Sequence, residues 1–371
     1  MKCNNKKPPR LMQTQRSLID FKGQNFFIGI DAHLKSWTIT VMGESLAHKT
    51  FQQPPNVAAL KSFLHSRFPG GNYYSVYEAG FCGFWAHYQL LEFGIRNIVV
   101  NPADVPTTQK ELLHKDDPVD SRKLARSLRA GELEGIYVLG KPTMEERSLV
   151  RQRAAIVRDL TRIKQRVKMF LHYFGIEIPI KFSNSNHNWS KRFLIWLKED
   201  VQAHMDMAGH TLGYMIEEVE LLRSLLLKVT QAVQTMAKSE KYNKRMALLR
   251  SIPGVGLLTA ITFLVEIEDI KRFKDSDHFA GYVGLTPTNH SSGEKERTGE
   301  MTFRGQKVLR KSLIESSWHT VRIDPALSLS YKAYVQRMEP NKAIVRIARK
   351  VLNRMYFVLK NEQAYVCGVV K

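Results

Sequence analysis

Cysteine is scarce in this chain. Cys3, Cys82 and Cys367 stand alone among 371 residues, and no paired spacing builds a zinc site or a disulfide framework. That leaves oxygen ligands for any metal and fits a reducing compartment. Long apolar runs are missing too: none approaches the roughly 20 residues that a membrane-spanning helix needs, and the polar opening MKCNNKKPPR lacks a secretory apolar core. The expectation is a cytoplasmic protein with no membrane partner. Negative charge is the third shortage. Asp and Glu number 35 against 56 Lys and Arg, a formal net charge of +21, so the expected partner is a polyanion, nucleic acid first.

The length allows two or three domains. Residues 1–24 are polar and basic and read as a flexible arm. From Asn25 the text NFFIGIDAHLKSWTITVMG reads as two strands around a short turn, an apolar run ending at Asp31 and then Trp37, Ile39 and Val41 at period two. A helix over about 56–68, an aromatic strand NYYSVYEA, a helix over about 84–93 and a strand IRNIVVN follow. Strands alternating with helices after an initial meander give a mixed sheet covered by helices, a domain over 25–145. Over 146–242 the apolar period lengthens. Ile156, Leu160, Ile163, Val167, Phe170 and Phe174 advance by fours and threes, as do Met215, Val219, Leu222, Leu226, Val229, Val233 and Met236. Two such coiled-coil seams form either a long antiparallel pair or a dimer contact. Residues 243–371 read as a third, mainly helical domain, ending in a helix that sets Lys342, Arg346, Lys350 and Arg354 on one face.

Four acids are candidates for chemistry. Asp31 and Glu78 each end a strand, where a sheet holds a carboxylate rigidly. Asp117 and Asp120 lie three apart at the start of the helix PVDSRKLARSL and share a face. Four carboxylates so placed suit two Mg²⁺ ions about 4 Å apart, the arrangement used in phosphoryl transfer. Asp117, standing before Pro118, reads equally as a helix N-cap; capping does not account for Asp120.

Three stretches are candidates for contact with phosphate. Arg147, Arg151, Arg153, Arg158, Arg162, Lys164, Arg166 and Lys168 face only Asp159 over the same stretch, a phosphate-binding run or else a solvated helix face. SIPGVGLLTAI has the form of a helix-hairpin-helix turn, in which Gly254 and Gly256 let backbone amides approach a phosphate, or of an ordinary interhelical turn. Thirty residues on, Ser291 and Ser292 stand in a glycine-containing loop among Lys295, Arg297, Arg304, Lys307, Arg310 and Lys311. A serine beside cations that hold a phosphate is a candidate nucleophile.

FIGIDAH, YEAG, KDDPVDSRKLA, SIPGVGLLTA, FAGYVGLTP and SSGEKERTGEMTFRGQKVLRKSL, taken in this order and spacing, resemble the insertion-sequence transposases of family one-ten, relatives of the Piv DNA invertase that are now called bridge recombinases. The resemblance runs from Phe26 to about Leu359. It implies a RuvC-like domain of RNase H fold with an Asp-Glu-Asp-Asp metal site falling on Asp31, Glu78, Asp117 and Asp120. It implies a coiled-coil link, a C-terminal domain whose serine of a Ser-Gly pair falls on Ser292 before Gly293, a homo-oligomer (dimer or tetramer), and a structured bridge RNA that pairs with donor and target DNA. Departures are the Asp-Asp of Asp116 and Asp117, which makes Asp116 a competing ligand, Ser121 where alanine is usual, Phe303 where lysine is common, and the second hydroxyl of Ser291.

The function expected is cutting and rejoining of DNA by metal-assisted attack of Ser292, in the bacterial cytoplasm at the nucleoid. The alternatives are a hydrolytic RuvC-like junction nuclease, in which water attacks, and a non-catalytic nucleic-acid-binding protein whose acids only cap and turn.

Overall fold

A computed structural model of the chain describes residues 21–109, 116–184, 188–289, 298–302 and 304–368. It divides into two compact units, residues 1–138 and 139–371.

In the first unit, five strands form one sheet in the order β3-β2-β1-β4-β5, with β1 Asn25–Ala32, β2 Trp37–Met42, β3 Ala47–Gln53, β4 Asn72–Glu78 and β5 Arg96–Val100. The first three are an antiparallel meander; β4 and β5 run parallel to β1. The RuvC-like arrangement expected from the sequence is thus present as a mixed sheet. Strand residues alternate between faces, and here the alternation separates structure from chemistry. Phe26, Ile28 and Ile30 of β1 join Trp37, Ile39, Val41, Tyr73 and Tyr77 in one core with helices α1 Val57–Arg67 and α2 Trp85–Glu92. The other face carries Gly29 and Asp31, and on it lies α3, Asp117–Ala130, whose Leu124 packs with Val76 and Val100. Asn56 caps α1 by accepting the Ala59 amide, one residue from the expected start.

The second unit is mainly helical: α4 Lys141–Tyr173, α5 Lys191–Trp196, α6 Met207–Ala237, α7 Glu240–Arg250, α8 Leu257–Ile267, α9 Ser276–Val283, the two-stranded ribbon β6 Pro287–Asn289 and β7 Thr298–Met301, α10 Lys307–Ile323, α11 Pro325–Val335 and α12 Pro340–Lys360. Helices α4 and α6 pair antiparallel, since Arg153 meets Thr230 while Arg166, further along α4, meets the earlier Glu218. The buried seam of α4 is Ile156, Leu160, Ile163, Val167 and Leu171. Phe170 is only partly buried and Phe174 is exposed. The seam therefore advances to Leu171 instead of stepping to Phe170 and Phe174. A straight helix drifts against a strict seven-residue repeat, and the same drift sets Leu212, Ile216 and Val219 at the contact in α6, with Met215 at its margin. Phe182, Trp189, Phe193 and Leu197 from the connecting segment pack onto this end of the pair.

Two expected boundaries move. The first unit ends at Val138 rather than 145. The region 146–242 is not a body separate from the C-terminal region, because Val150, Val233 and Ala237 share a core with Ile261, Phe263, Leu313 and Val351. Among the described residues no helix is long and apolar enough to cross a membrane.

Candidate active site and nucleic-acid contacts

Asp31 and Glu78 stand at the carboxyl ends of neighbouring parallel strands, Ile30 of β1 pairing with Tyr77 of β4. Both project from the face that α3 covers, and the approach of α3 is set by Gly29: a Cβ there would lie 2.1 Å from the carbonyl oxygen of Ser121 and 2.5 Å from the amide nitrogen of Ala125. Only glycine admits the helix so close to β1. Ser121, in place of the usual alanine, uses its hydroxyl at 2.9 Å from Thr40 Oγ1, itself 2.9 Å from Thr50 Oγ1. Its oxygen is satisfied inside the sheet–helix layer.

The N-terminus of α3 corrects one reading. Asp116, not Asp117, occupies the N-cap position, and its side chain makes no capping bond; Asp117 begins the helix with Pro118 next. Asp117 is thereby free of a capping duty. Its Oδ1 lies 3.4 Å from His33 Nε2, which lies 3.1 Å from Asp31 Oδ2, and the three ligand atoms fall within 4.8 Å of one another. On the other side of the cleft Lys123, one turn after Asp120, places Nζ 3.0 Å from Asp120 Oδ1 and 4.0 Å from Glu78 Oε1. Residues Asp31, His33, Glu78, Phe81, Asp120 and Lys123 line a cleft of about 400 Å³.

The carboxyl of Asp31 is pushed above the usual carboxylate range, chiefly by burial and then by the negative charges of Asp117 and Asp120, with His33 pulling the other way. A partly buried carboxylate crowded by like charges is a ready binding place for a cation, and a donor set of carboxylate oxygens and one imidazole suits a divalent metal. The donors present therefore fit the metal that the sequence implied.

Three cleft residues escaped the sequence reading. His33 lies inside FIGIDAH and Lys123 three residues after Asp120, so both had a positional signal; Phe81, 70% exposed on the loop after β4, had none.

The basic run on α4 serves two purposes. Arg147 and Arg151 clasp Glu266, whose side chain is fully buried on α8, at 2.8 and 2.7 Å. Arg153 is tied to Thr230, and Lys164 lies over the Trp189 ring. Arg158, Arg162 and Arg166 are exposed and Lys168 half-buried; Arg162 and Arg166 meet half-exposed acids, Asp159 at 3.6 Å and Glu218 at 3.4 Å.

In the hairpin between α7 and α8, Gly254 has φ of +86°, and a Cβ would meet Thr320 Oγ1 at 2.3 Å. Ser316 and Thr320 of α10 donate to the carbonyls of Gly254 and Pro253. The close approach Gly254 permits is to α10. Gly256, at the N-cap of α8, has open space around it.

Ser291, Ser292, Gly293, Lys295 and Arg297 lie outside the described residues, as does Phe303. The flanking residues are placed: Asn289 of β6 pairs with Thr298 of β7. Arg310 donates to the carbonyls of Thr302 and Gly284, bracing that ribbon's base. Arg304 and Lys307 are exposed beside it.

Known proteins resemble this chain over both units. Residues 28–175 match a DEDD transposase family of IS110 type, and residues 246–332 match the family described as Transposase IS116/IS110/IS902. A Sinorhizobium fredii protein that bears the name transposase is 31% identical over 283 residues, 76% of this chain and 66% of its own length. The transposase for insertion sequence element IS1111A of Coxiella burnetii is 25% identical over 302 residues, 77% and 78% of the two chains. The pilin gene-inverting protein of Moraxella bovis is 31% identical over 141 residues, 36% and 43% of the two. With both of its folded regions matched, the chain belongs to the IS110 family of insertion-sequence transposases.

Proposed function

We propose that this transposase cuts and rejoins DNA by transesterification, with the carboxylate cleft of the first unit as its metal site and Ser292 as nucleophile. One observation carries the reading. Asp31, Glu78 and Asp120 line a single cleft with Asp117 beside Asp31, brought there from two strand ends and one helix. A divalent metal bound there, Mg²⁺ by its preference for oxygen, would polarise the scissile phosphate and ease deprotonation of the attacking hydroxyl.

The chain's own groups have separate tasks. Asp31 and Glu78 are fixed by the sheet, so their carboxylates stay in place while DNA moves. Asp117 and Asp120 ride on α3, which Gly29 locks to β1. Ser292 attacks the phosphorus, the bond to the departing strand oxygen breaks, and a phosphoserine link forms; a DNA strand hydroxyl later attacks that link and frees the serine. Lys295 and Arg297 beside the serine, with Arg304 and Lys307, neutralise the phosphate. Arg158, Arg162, Arg166 and Lys168 hold nucleic-acid backbone, and the open N-terminus of α8 at Gly256 offers amides to a further phosphate. A structured bridge RNA supplies the choice of donor and target, and the active assembly is a homo-oligomer at the nucleoid.

The completeness of the acidic cleft within residues 31–120 favours one second reading, in which water attacks and the serine segment only binds. The test is denaturing electrophoresis of end-labelled DNA carrying the element's ends, treated with protein that keeps its copurified RNA and Mg²⁺. Transesterification leaves protein-linked DNA that a protease releases; hydrolysis leaves free ends only.

A further inference from the structure

Lys123 is buried, its side chain 8% exposed, inside a cleft built of acids. Its ammonium sits between two of the four, 3.0 Å from Asp120 Oδ1 and 4.0 Å from Glu78 Oε1. The other two, Asp31 and Asp117, share a different neighbour: His33 Nε2, at 3.1 and 3.4 Å. The four carboxylates are thus sorted into two pairs, each with its own nitrogen.

The two nitrogens are not equivalent. A neutral imidazole is a metal ligand, and with Asp31 and Asp117 it completes a donor set close enough to close on one ion. An ammonium has no lone pair to give and repels a metal. It can only replace one. A buried lysine needs its carboxylate partners, since moving them away leaves a nearly buried ammonium uncompensated. Lys123 cannot easily withdraw to admit a dication between Glu78 and Asp120.

We propose that Lys123 is a resident cation of this site, so that the cleft takes one divalent metal, on Asp31, His33 and Asp117, while the ammonium neutralises Glu78 and Asp120 where a four-carboxylate pattern would hold a second ion. This rests on the metal reading given above and changes its stoichiometry. Lys123 is a positioning residue: it keeps Glu78 and Asp120 turned into the cleft and adds a fixed positive charge to which the scissile phosphate is drawn. His33 becomes a ligand.

The test counts Mn²⁺ on the full-length protein without DNA, by calorimetric titration and by electron paramagnetic resonance of free ion. Asp31→Asn serves as the blank for adventitious binding. The wild type should hold one ion per chain above that blank and Lys123→Met two, the second lost when Glu78→Gln is added, because removing the ammonium leaves Glu78 and Asp120 unneutralised. His33→Asn should weaken the single ion by about tenfold or more, as loss of a ligand does, and this variant decides the matter if Lys123→Met does not fold. Two ions above that blank in the wild type, one in a folded Lys123→Met, or unchanged affinity in His33→Asn would each overturn the proposal. Binding that Asp31→Asn does not reduce at all would instead overturn the metal reading beneath it, and this proposal with it.

Discussion

Gly29 and the backbone of Ser121 are in such close register that a single methyl group on Gly29 would stand 2.1 Å from the Ser121 carbonyl oxygen. The contact fixes the height of α3 over β1 and so the distance of Asp117 and Asp120 from Asp31. Gly29→Ala must therefore push the helix away. We expect a loss of about 2–3 kcal/mol in stability, typical of overpacking in a layer with no slack, measured by urea denaturation. Metal-dependent cleavage should fall further than stability alone explains. A variant of wild-type stability would show that the layer can yield.

Replacing Asp31, Glu78 or Asp120 by Ala should abolish strand cleavage and leave nucleic-acid binding close to normal, because affinity comes from the basic surfaces. Gel-shift and cleavage assays on the same preparations separate the two. Near-normal cleavage by Asp120→Ala would remove that residue from the site. Asp117→Ala belongs to the same series without a capping penalty, since Asp116 holds the cap position.

Asp31 also makes a prediction about stability. Folding raises its pKa, through burial first, with His33 opposing the rise and Asp117 and Asp120 adding to it. Ionised Asp31 is therefore disfavoured in the folded state, and any stability it lends is present at low pH and lost as pH rises through the raised value. In metal-free protein at pH 7, Asp31→Asn should raise the melting temperature by roughly 2 °C or more, and the gain should vanish as pH falls below the ordinary carboxylate value. A lower melting temperature across the range would contradict the assignment of burial as the dominant effect.

The basic run on α4 divides by its partners: Arg147 and Arg151 pair with buried Glu266, whereas Arg162 and Arg166 meet half-exposed acids. Arg158, Arg162 and Arg166 replaced together by Ala should weaken binding to all sequences and reduce the slope of log K against log salt by about 0.9 for each phosphate no longer neutralised. Arg147→Ala should leave the slope unchanged and instead cost about 3 kcal/mol in stability, since it strips a partner from buried Glu266. A changed slope in Arg147→Ala, or an unchanged one in the triple variant, would reverse this division.

The strands and the four acids were legible in the sequence because period-two alternation and strand-end position are local signals. Helix pairing was legible in outline, but the shift of the seam to Leu171 depends on how α4 and α6 turn against each other, which a repeat of sevens does not encode. The charge on α4 misled for a related reason. Arg147 and Arg151 look like their neighbours until Glu266, more than a hundred residues later, arrives at their side. Gly254 shows the same limit: its φ above zero fits a phosphate-binding hairpin and a tight turn against α10 alike, and only the positions of Ser316 and Thr320 distinguish them.

In the proposed mechanism, metal held by the cleft drives attack of Ser292 on DNA. Its most direct measurement is mass spectrometry of the protein–DNA adduct trapped on DNA with the element's ends, in the wild type, Ser292→Ala, Ser291→Ala and Asp31→Ala. A nucleotide-bearing peptide modified at Ser292 in the wild type and in Ser291→Ala, absent from Ser292→Ala and from Asp31→Ala, is the expected result. An adduct that persists in Ser292→Ala, or one that forms in Asp31→Ala at the wild-type level, would contradict it.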